Sequence, residues 1–341
     1  MGYCRPSWGE EIRHVWSRRT PHFESLATHT IVSLTASPPP ASPQFLMKHV
    51  ETAFVRLLRS IFGLASSHVP LVPGIIPSPV AGPSSGEYGG YGACEREMGR
   101  GAKGPRTSFV AFNFPDLRII SGETIRRATE GVDVIELRVD TLVQSRPDTP
   151  PESRRGSPND HAPSRAPPGP PSPHYVALCF GHLRRCSPLP IMYTVRTKTQ
   201  GGAYPDPYGD DSALLDEYVA LVELGFKLGA EYVDVELSLP DKVFMRLLAL
   251  RGAATQCLAT DHDREGKWSW DSQQVMDKYL RAARLGADVV KFVNFPTSFN
   301  SNLELLKFRQ RVSAIDVGRP LPLLAINLVR RYVFCRLATS S

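Results

Sequence analysis

No run in this chain of 341 residues approaches the ~20 consecutive apolar residues that a membrane span needs. No Arg-plus-apolar pattern opens it, so a secretory leader is not expected. Cysteine is scarce. The six (Cys4, Cys94, Cys179, Cys186, Cys257, Cys335) form neither a CxxC pair nor a regular framework, which argues for a reduced, cytoplasmic setting. No zinc-finger spacing is present, no Walker sequence occurs, and no GxGxxG opens the first βα turn. Net charge is +6 without any long Lys/Arg run or aromatic–basic interleaving. That distribution suits anionic small molecules and speaks against nucleic acid. Met1-Gly2 hints at lipidation, but Pro6 stands where Ser or Thr is required.

What is present is enough apolar content for a folded core, 42% with a mean hydropathy of −0.20. Residues 1–64 form a separate unit. Trp16–Phe23 leads into a short strand at Thr30–Leu34, and apolar residues at helical spacing from Phe45 to Phe62 predict a helix closed by Gly63. One strand and one helix cannot make an independent core. Residues 65–106, rich in Gly, Pro and Ser, read as a disordered linker. Residues 144–173 hold ten of the 31 prolines and read as a disordered surface insertion.

Around these segments the chain alternates regularly. Strands are expected at 108–114, 132–140, 190–198, 232–239, 255–263, 288–295 and 321–327. Helices are expected at 122–130, 175–185, 212–228, 242–250, 272–285 and 303–312. Seven β-units with helical spacers are the pattern of a parallel α/β fold. A (β/α)8-type TIM barrel, incomplete at about seven strands, is preferred over a dinucleotide-binding sheet.

Within the sixth strand, Val289-Val-Lys291-Phe-Val, one lysine interrupts an apolar run. Such a lysine is paired, neutral, chemically used, or snorkels its head to water. Its company bears on the choice. Residues two apart on a strand share a face. Glu136, Arg138 and Asp140 share one; so do Thr194, Arg196 and Lys198; Asp234 and Glu236 repeat the pattern. Charges late in consecutive strands read as a site at the C-terminal mouth rather than as an ion-pair lattice at the barrel bottom. His262 ends the fifth strand beside the lysine strand and titrates near neutrality, so it is the candidate acid/base. Arg138 and Arg196 could grip a carboxylate and disfavour protonation of a neighbouring amine.

Glu136-Leu-Arg-Val-Asp140, Tyr193-Thr-Val-Arg-Thr-Lys-Thr-Gln-Gly-Gly202, His262-Asp263 and the Lys291 strand, in that order, resemble type I 3-dehydroquinate dehydratase. The likeness is to the dehydratase domain of the fungal pentafunctional arom polypeptide, which Phe114-Pro-Asp116 and Pro188–Lys198 also fit. It covers residues 107–327 outside the insertion. Residues 1–64, through Arg18-Arg-Thr-Pro-His-Phe23, are similar to the C-terminal end of a shikimate kinase domain, in which the arginine matching Arg19 contacts shikimate. The phosphate-binding loop is missing, so no kinase activity is expected.

The resemblance implies a lyase of the shikimate pathway that converts 3-dehydroquinate to 3-dehydroshikimate through a Schiff base. It implies Lys291 and His262 as catalytic residues, Glu136, Arg138 and Arg196 as substrate-binding residues, and no cofactor or metal. Homodimerisation or association with other arom domains stays open. Two departures stand out. Ala111 occupies a position where the family usually has a serine, and residues 328–341 form a divergent tail without the family's closing loop and carboxylate-binding arginine. The activity is therefore expected to be impaired. The alternative is a catalytically inactive fragment acting as a binding module; an imine-forming aldolase is disfavoured because no phosphate-binding loop follows the late strands.

Overall fold

The computed structural model describes residues 8–31, 43–62, 109–143, 170–208, 212–296, 298, 300–315 and 321–328. Among these it contains eight helices and seven strands. Two helices precede the sheet, α1 (Trp8–Leu26) and α2 (Pro43–Phe62). There follow β1 (Phe109–Phe112), α3 (Gly122–Ala128), β2 (Val134–Arg138), α4 (Pro173–Cys186), β3 (Ile191–Thr194), α5 (Ser212–Lys227) and β4 (Tyr232–Glu236). The chain continues with α6 (Asp241–Leu248), β5 (Gln256–Asp263), α7 (Gln273–Leu285), β6 (Val289–Asn294), α8 (Asn300–Ser313) and β7 (Leu323–Asn327).

All seven strands are parallel and paired in chain order, β1-β2-β3-β4-β5-β6-β7. The sheet curls into an open, incomplete barrel, and each expected strand and each expected helix between them is present. Helix starts are chemically marked. Ser121, Ser172 and Ser272 each accept a hydrogen bond from the backbone N–H three residues on, and Pro173 sits in the first turn of α4, where a missing N–H costs nothing. Gly286 ends α7 with φ 85°, a left-handed cap that glycine tolerates best.

The sheet's two faces divide the core. Outward residues such as Ile135, Leu137, Tyr193, Val233, Val235, Ala259, Val290 and Phe292 pack with the helices. The inward residues at the strand starts are Val134, Met192, Tyr232, Leu258, Val289 and Leu324, with Phe109 packed against them. They form one apolar layer to which each strand contributes one side chain. Two residues further along β2 to β6 the interior becomes polar, with Glu136, Thr194, Asp234, Thr260 and Lys291.

Three expectations change. The chain from Trp8 to Leu26 is helical, with Pro21 inside, and Thr30 and Ile31 are not strand; Val32–Leu34 lie outside the described residues. β3 stops at Thr194, because the following backbone pairs with its own loop. Tyr204 N–H donates to the Arg196 carbonyl, and Lys198 N–H to that of Tyr204. Lys198 is consequently exposed and leaves the face it was expected to share with Arg196. The N-terminal unit touches the barrel through Thr30 N–H on the Lys227 carbonyl (2.7 Å) and Arg56 on that of Pro188 (3.3 Å). Gly63, the linker 65–106, residues 144–169 of the insertion and residues 329–341 of the tail lie outside the described residues.

Candidate active site

Lys291 is 4% exposed and points into the barrel from β6. Its Nζ donates to Glu136 Oε1 on β2 at 3.0 Å and lies 3.5 Å from Asp234 Oδ2 on β4. Met192 Sδ is 3.6 Å away, and the Phe109 ring centroid 5.3 Å. The amine therefore rests on the apolar layer below and meets two carboxylates beside it. Glu136 Oε1 also accepts from Thr194 Oγ1 at 3.0 Å. Burial pushes the Glu136 carboxyl up, but Lys291, with Arg196 and Arg138 behind it, holds it below the usual carboxylate range.

Arg196 follows β3 and is 3% exposed. It donates to Asp234 Oδ2 at 2.5 Å and to Glu236 Oε1 at 3.1 Å. Glu236 also accepts from Thr197 N–H and Oγ1 and from the Tyr208 hydroxyl (2.6 Å). Burial nevertheless leaves its carboxyl raised. Gly202 closes this loop against the Arg196 carbonyl; a Cβ there would lie 1.9 Å from that oxygen, so only glycine fits. Arg138, at the rim, makes a two-point pair with Asp140 (2.8 and 2.7 Å). Both guanidinium groups are thus held by carboxylates, and the immediate partners of the amine are acidic.

His262 on β5 has the same inward parity as Thr260, which is in register with Lys291. Its Nδ1 is enclosed and has no hydrogen-bond partner. Burial, then the positive charges of Arg196, Lys291, Arg138 and Arg264, press its pKa well below the ordinary 6.5, so the ring is a neutral base at physiological pH. Its backbone N–H donates to Gln200 Oε1 (2.6 Å), and Gln200 Nε2 donates to Asp261 Oδ1 (2.8 Å). Lys278 holds the other Asp261 oxygen at 2.6 Å while lying 3.9 Å over the Trp268 ring.

Lys291, Glu136 and Arg196 therefore meet in one network through Asp234, with His262 in their electrostatic field and Arg138 at the edge. Sequence reasoning passed over Gln200 and noticed Asp234 and Glu236 only as a repeated pattern. Their inward parity was the available signal. Among the described residues, no group of three His, Cys, Asp or Glu side chains is placed to hold a metal ion.

The family model for type I 3-dehydroquinase matches residues 108–338, which include every member of this network. This chain belongs to that family. It is similar to the pentafunctional AROM polypeptide of Komagataella phaffii, 28% identical over 305 residues, covering 89% of this chain and 15% of that protein. It is also similar to the AROM polypeptide of Yarrowia lipolytica, 36% identical over 222 residues, covering 65% of this chain and 12% of that protein. The chain thus spans well under a fifth of these relatives' length. A solved structure, dehydroquinate dehydratase and shikimate dehydrogenase from S. pombe AroM, aligns with a TM-score of 0.49 at 28% identity, over 68% of this chain and 38% of that one.

Proposed function

We propose that this chain is a lyase that dehydrates 3-dehydroquinate to 3-dehydroshikimate through an imine on Lys291. The observation that carries the reading is a buried lysine amine, seated among inward carboxylates on the interior face that also holds a neutral histidine, within a chain of this family. Nζ adds to the C3 ketone, and loss of water gives the protonated imine. That cation acidifies the C2–H bond. His262 takes the C2 proton and returns one to the C1 hydroxyl as it departs as water; hydrolysis then frees the product. Assistance of this kind contributes ~10²–10⁴-fold. Glu136 orients the amine, and Arg138 and Arg196 at the mouth suit an anionic substrate. No cofactor is required by these steps.

Borohydride reduction with 3-dehydroquinate tests this directly. The expected result is a reduced adduct on the peptide carrying Lys291, and natively folded protein that yields none would overturn it.

A second reading, an inactive fragment that binds through its sheet edges, is favoured by one observation. Among the described residues, β1 and β7 are each paired on one side only. Pairing of those edges with another copy, or with other domains of an arom polypeptide, is the partner this reading names. Residues 1–64 are proposed as the end of a shikimate kinase domain. In support, the alignment with the Komagataella protein covers 89% of this chain, a share that residues 108–341 alone could not supply. Arg19, exposed on α1, is the position to which that proposal attaches. Both readings place the chain in the cytoplasm; among the described residues, no helix is long and apolar enough to cross a membrane.

A further inference from the structure

The substrate of the proposed reaction carries a carboxylate on C1, and a site that takes it from water must meet that charge. Most cations around the interior are already engaged. Arg138 is paired with Asp140, Arg196 with Asp234 and Glu236, Lys291 with Glu136 and Asp234, and Lys278 with Asp261. Lys267, exposed beyond β5, is paired with Glu265. The arginines that follow β7, Arg330, Arg331 and Arg336, lie outside the described residues. Arg264 differs. It is exposed, two residues past His262 on the turn that leaves β5, and has no ion pair among the described residues. Lys198, exposed on the loop after β3, has none either, but only Arg264 continues the strand that carries the histidine. Its stem lies along Gly201 of the loop after β3. A Cβ on that glycine would come within 2.9 Å of Arg264 Cδ and 3.2 Å of its Nε, and φ of 90° there disfavours any side chain. The platform is fixed on both sides. Gln200 accepts from His262 N–H at 2.6 Å, and the Asp263 carboxylate accepts from the backbone N–H groups of Glu265 (3.1 Å) and Trp268.

We propose that Arg264 binds the C1 carboxylate of 3-dehydroquinate from the β5 side of the mouth and so selects an acid over a neutral analogue. The assignment rests on the lyase reading for the identity of the substrate. The order of atoms in the ring carries it. C3 is tied to Lys291, deep on β6. C2 is the carbon whose proton His262 takes, so C1, one bond further, lies beside the histidine and away from the amine. A carboxylate on C1 therefore emerges past His262 toward the end of β5, where Arg264 offers an unengaged guanidinium. That planar fork presents two N–H donors to two carboxylate oxygens. Packing of the stem along Gly201 limits the side-chain freedom lost when the contact forms. The contact also has an electrical consequence. Arg264 is one of four cations whose charge presses the His262 ring toward its neutral form. A bound carboxylate offsets that charge, so the substrate raises the basicity of the group that must take its own proton.

The test is calorimetric titration of the full chain with quinate, the C3 alcohol of the substrate, which keeps the carboxylate and has no ketone to react. Arg264→Gln should weaken quinate binding by about 10- to 100-fold. Its circular dichroism and urea midpoint should not change, because the residue is exposed. Quinamide, with a neutral carboxamide in place of the carboxylate, should bind the wild-type chain more weakly than quinate by a similar factor. Arg264→Gln should hardly distinguish the two. Guanidinium ion added to Arg264→Gly should recover part of the loss, which a purely structural role would not permit. Lys267→Gln removes the same unit of charge three residues away and should leave quinate binding within about twofold. In turnover, Arg264→Gln should raise KM while the borohydride adduct at saturating 3-dehydroquinate is retained. Wild-type affinity in Arg264→Gln, undiminished discrimination against quinamide in that variant, or an equal loss in Lys267→Gln would overturn the proposal, whether or not the Lys291 adduct forms. Quinate binding that depends on Arg264 in a chain that gives no adduct would instead overturn the lyase reading and leave the contact standing.

Discussion

The floor of the barrel interior and the side chains one and two inward steps above it on β2 to β6 differ completely in chemistry. The lower layer is Val134, Met192, Tyr232, Leu258, Val289 and Leu324, with Phe109 against it. The layers above hold Glu136, Arg196, Asp234, Glu236, His262 and Lys291. Backbone geometry is common to both, so the difference lies in the side chains alone. The lower layer excludes water and offers the amine above it only the Met192 sulfur and the Phe109 ring. Everything above it must be satisfied by its neighbours, which is why the charges interlock across β2, β3, β4 and β6. The floor is apolar and dry; the charge pairs above it depend on that dryness for their strength.

Breaking the upper layer at its centre should have the largest effect. Lys291→Ala should lose detectable turnover and all borohydride adduct while keeping its circular dichroism. Next comes His262→Ala, expected to lose ~10²–10⁴ in kcat while still forming the Lys291 adduct; an equal loss of adduct would mean the two groups do not act at separate steps. The lower layer should behave oppositely. Leu258→Ala, at 0% exposure, should cost about 2–5 kcal/mol in urea unfolding, with far less change in kcat than either upper-layer variant. A kcat loss rivalling that of His262→Ala would erase the division between layers.

The smallest effect is on pH dependence. The His262 pKa is depressed in the folded chain, so between that value and about 6.5 the unfolded state binds a proton that the folded state does not. Above pH 6.5 the group contributes nothing to the difference. As pH falls below it, stability should decline, by at most about 1.4 kcal/mol per pH unit from this residue. His262→Gln should flatten that slope in urea titrations.

The parallel fold and the side of the sheet that carries the buried charges were legible because both are written in short-range periodicity. Seven apolar runs with helical spacers, and polar residues two apart late in three of them, suffice for that inference. What escaped was anything requiring the curl of the sheet. Glu136 and Lys291 are 155 residues apart and meet only because β2 and β6 face each other across the interior. Period-two reasoning extended β3 to Lys198, but the strand yields at Thr194 to a loop that pairs with itself. Gln200 belongs to that loop and reaches β5, past β4, a connection no strand pattern encodes. The helix Trp8–Leu26 was hidden by Pro21, which ordinarily marks a break.

Phe109, whose ring lies near the Lys291 amine, belongs to β1, a strand four residues long whose only ladder among the described residues is with β2. The dielectric around this amine is therefore governed in part by a strand with a single four-residue ladder among the described residues. Transient fraying there would hydrate the amine without disturbing a single one of its ionic partners. Solvent access at this margin and the pairing of the amine at the centre are two readings of the same short ladder.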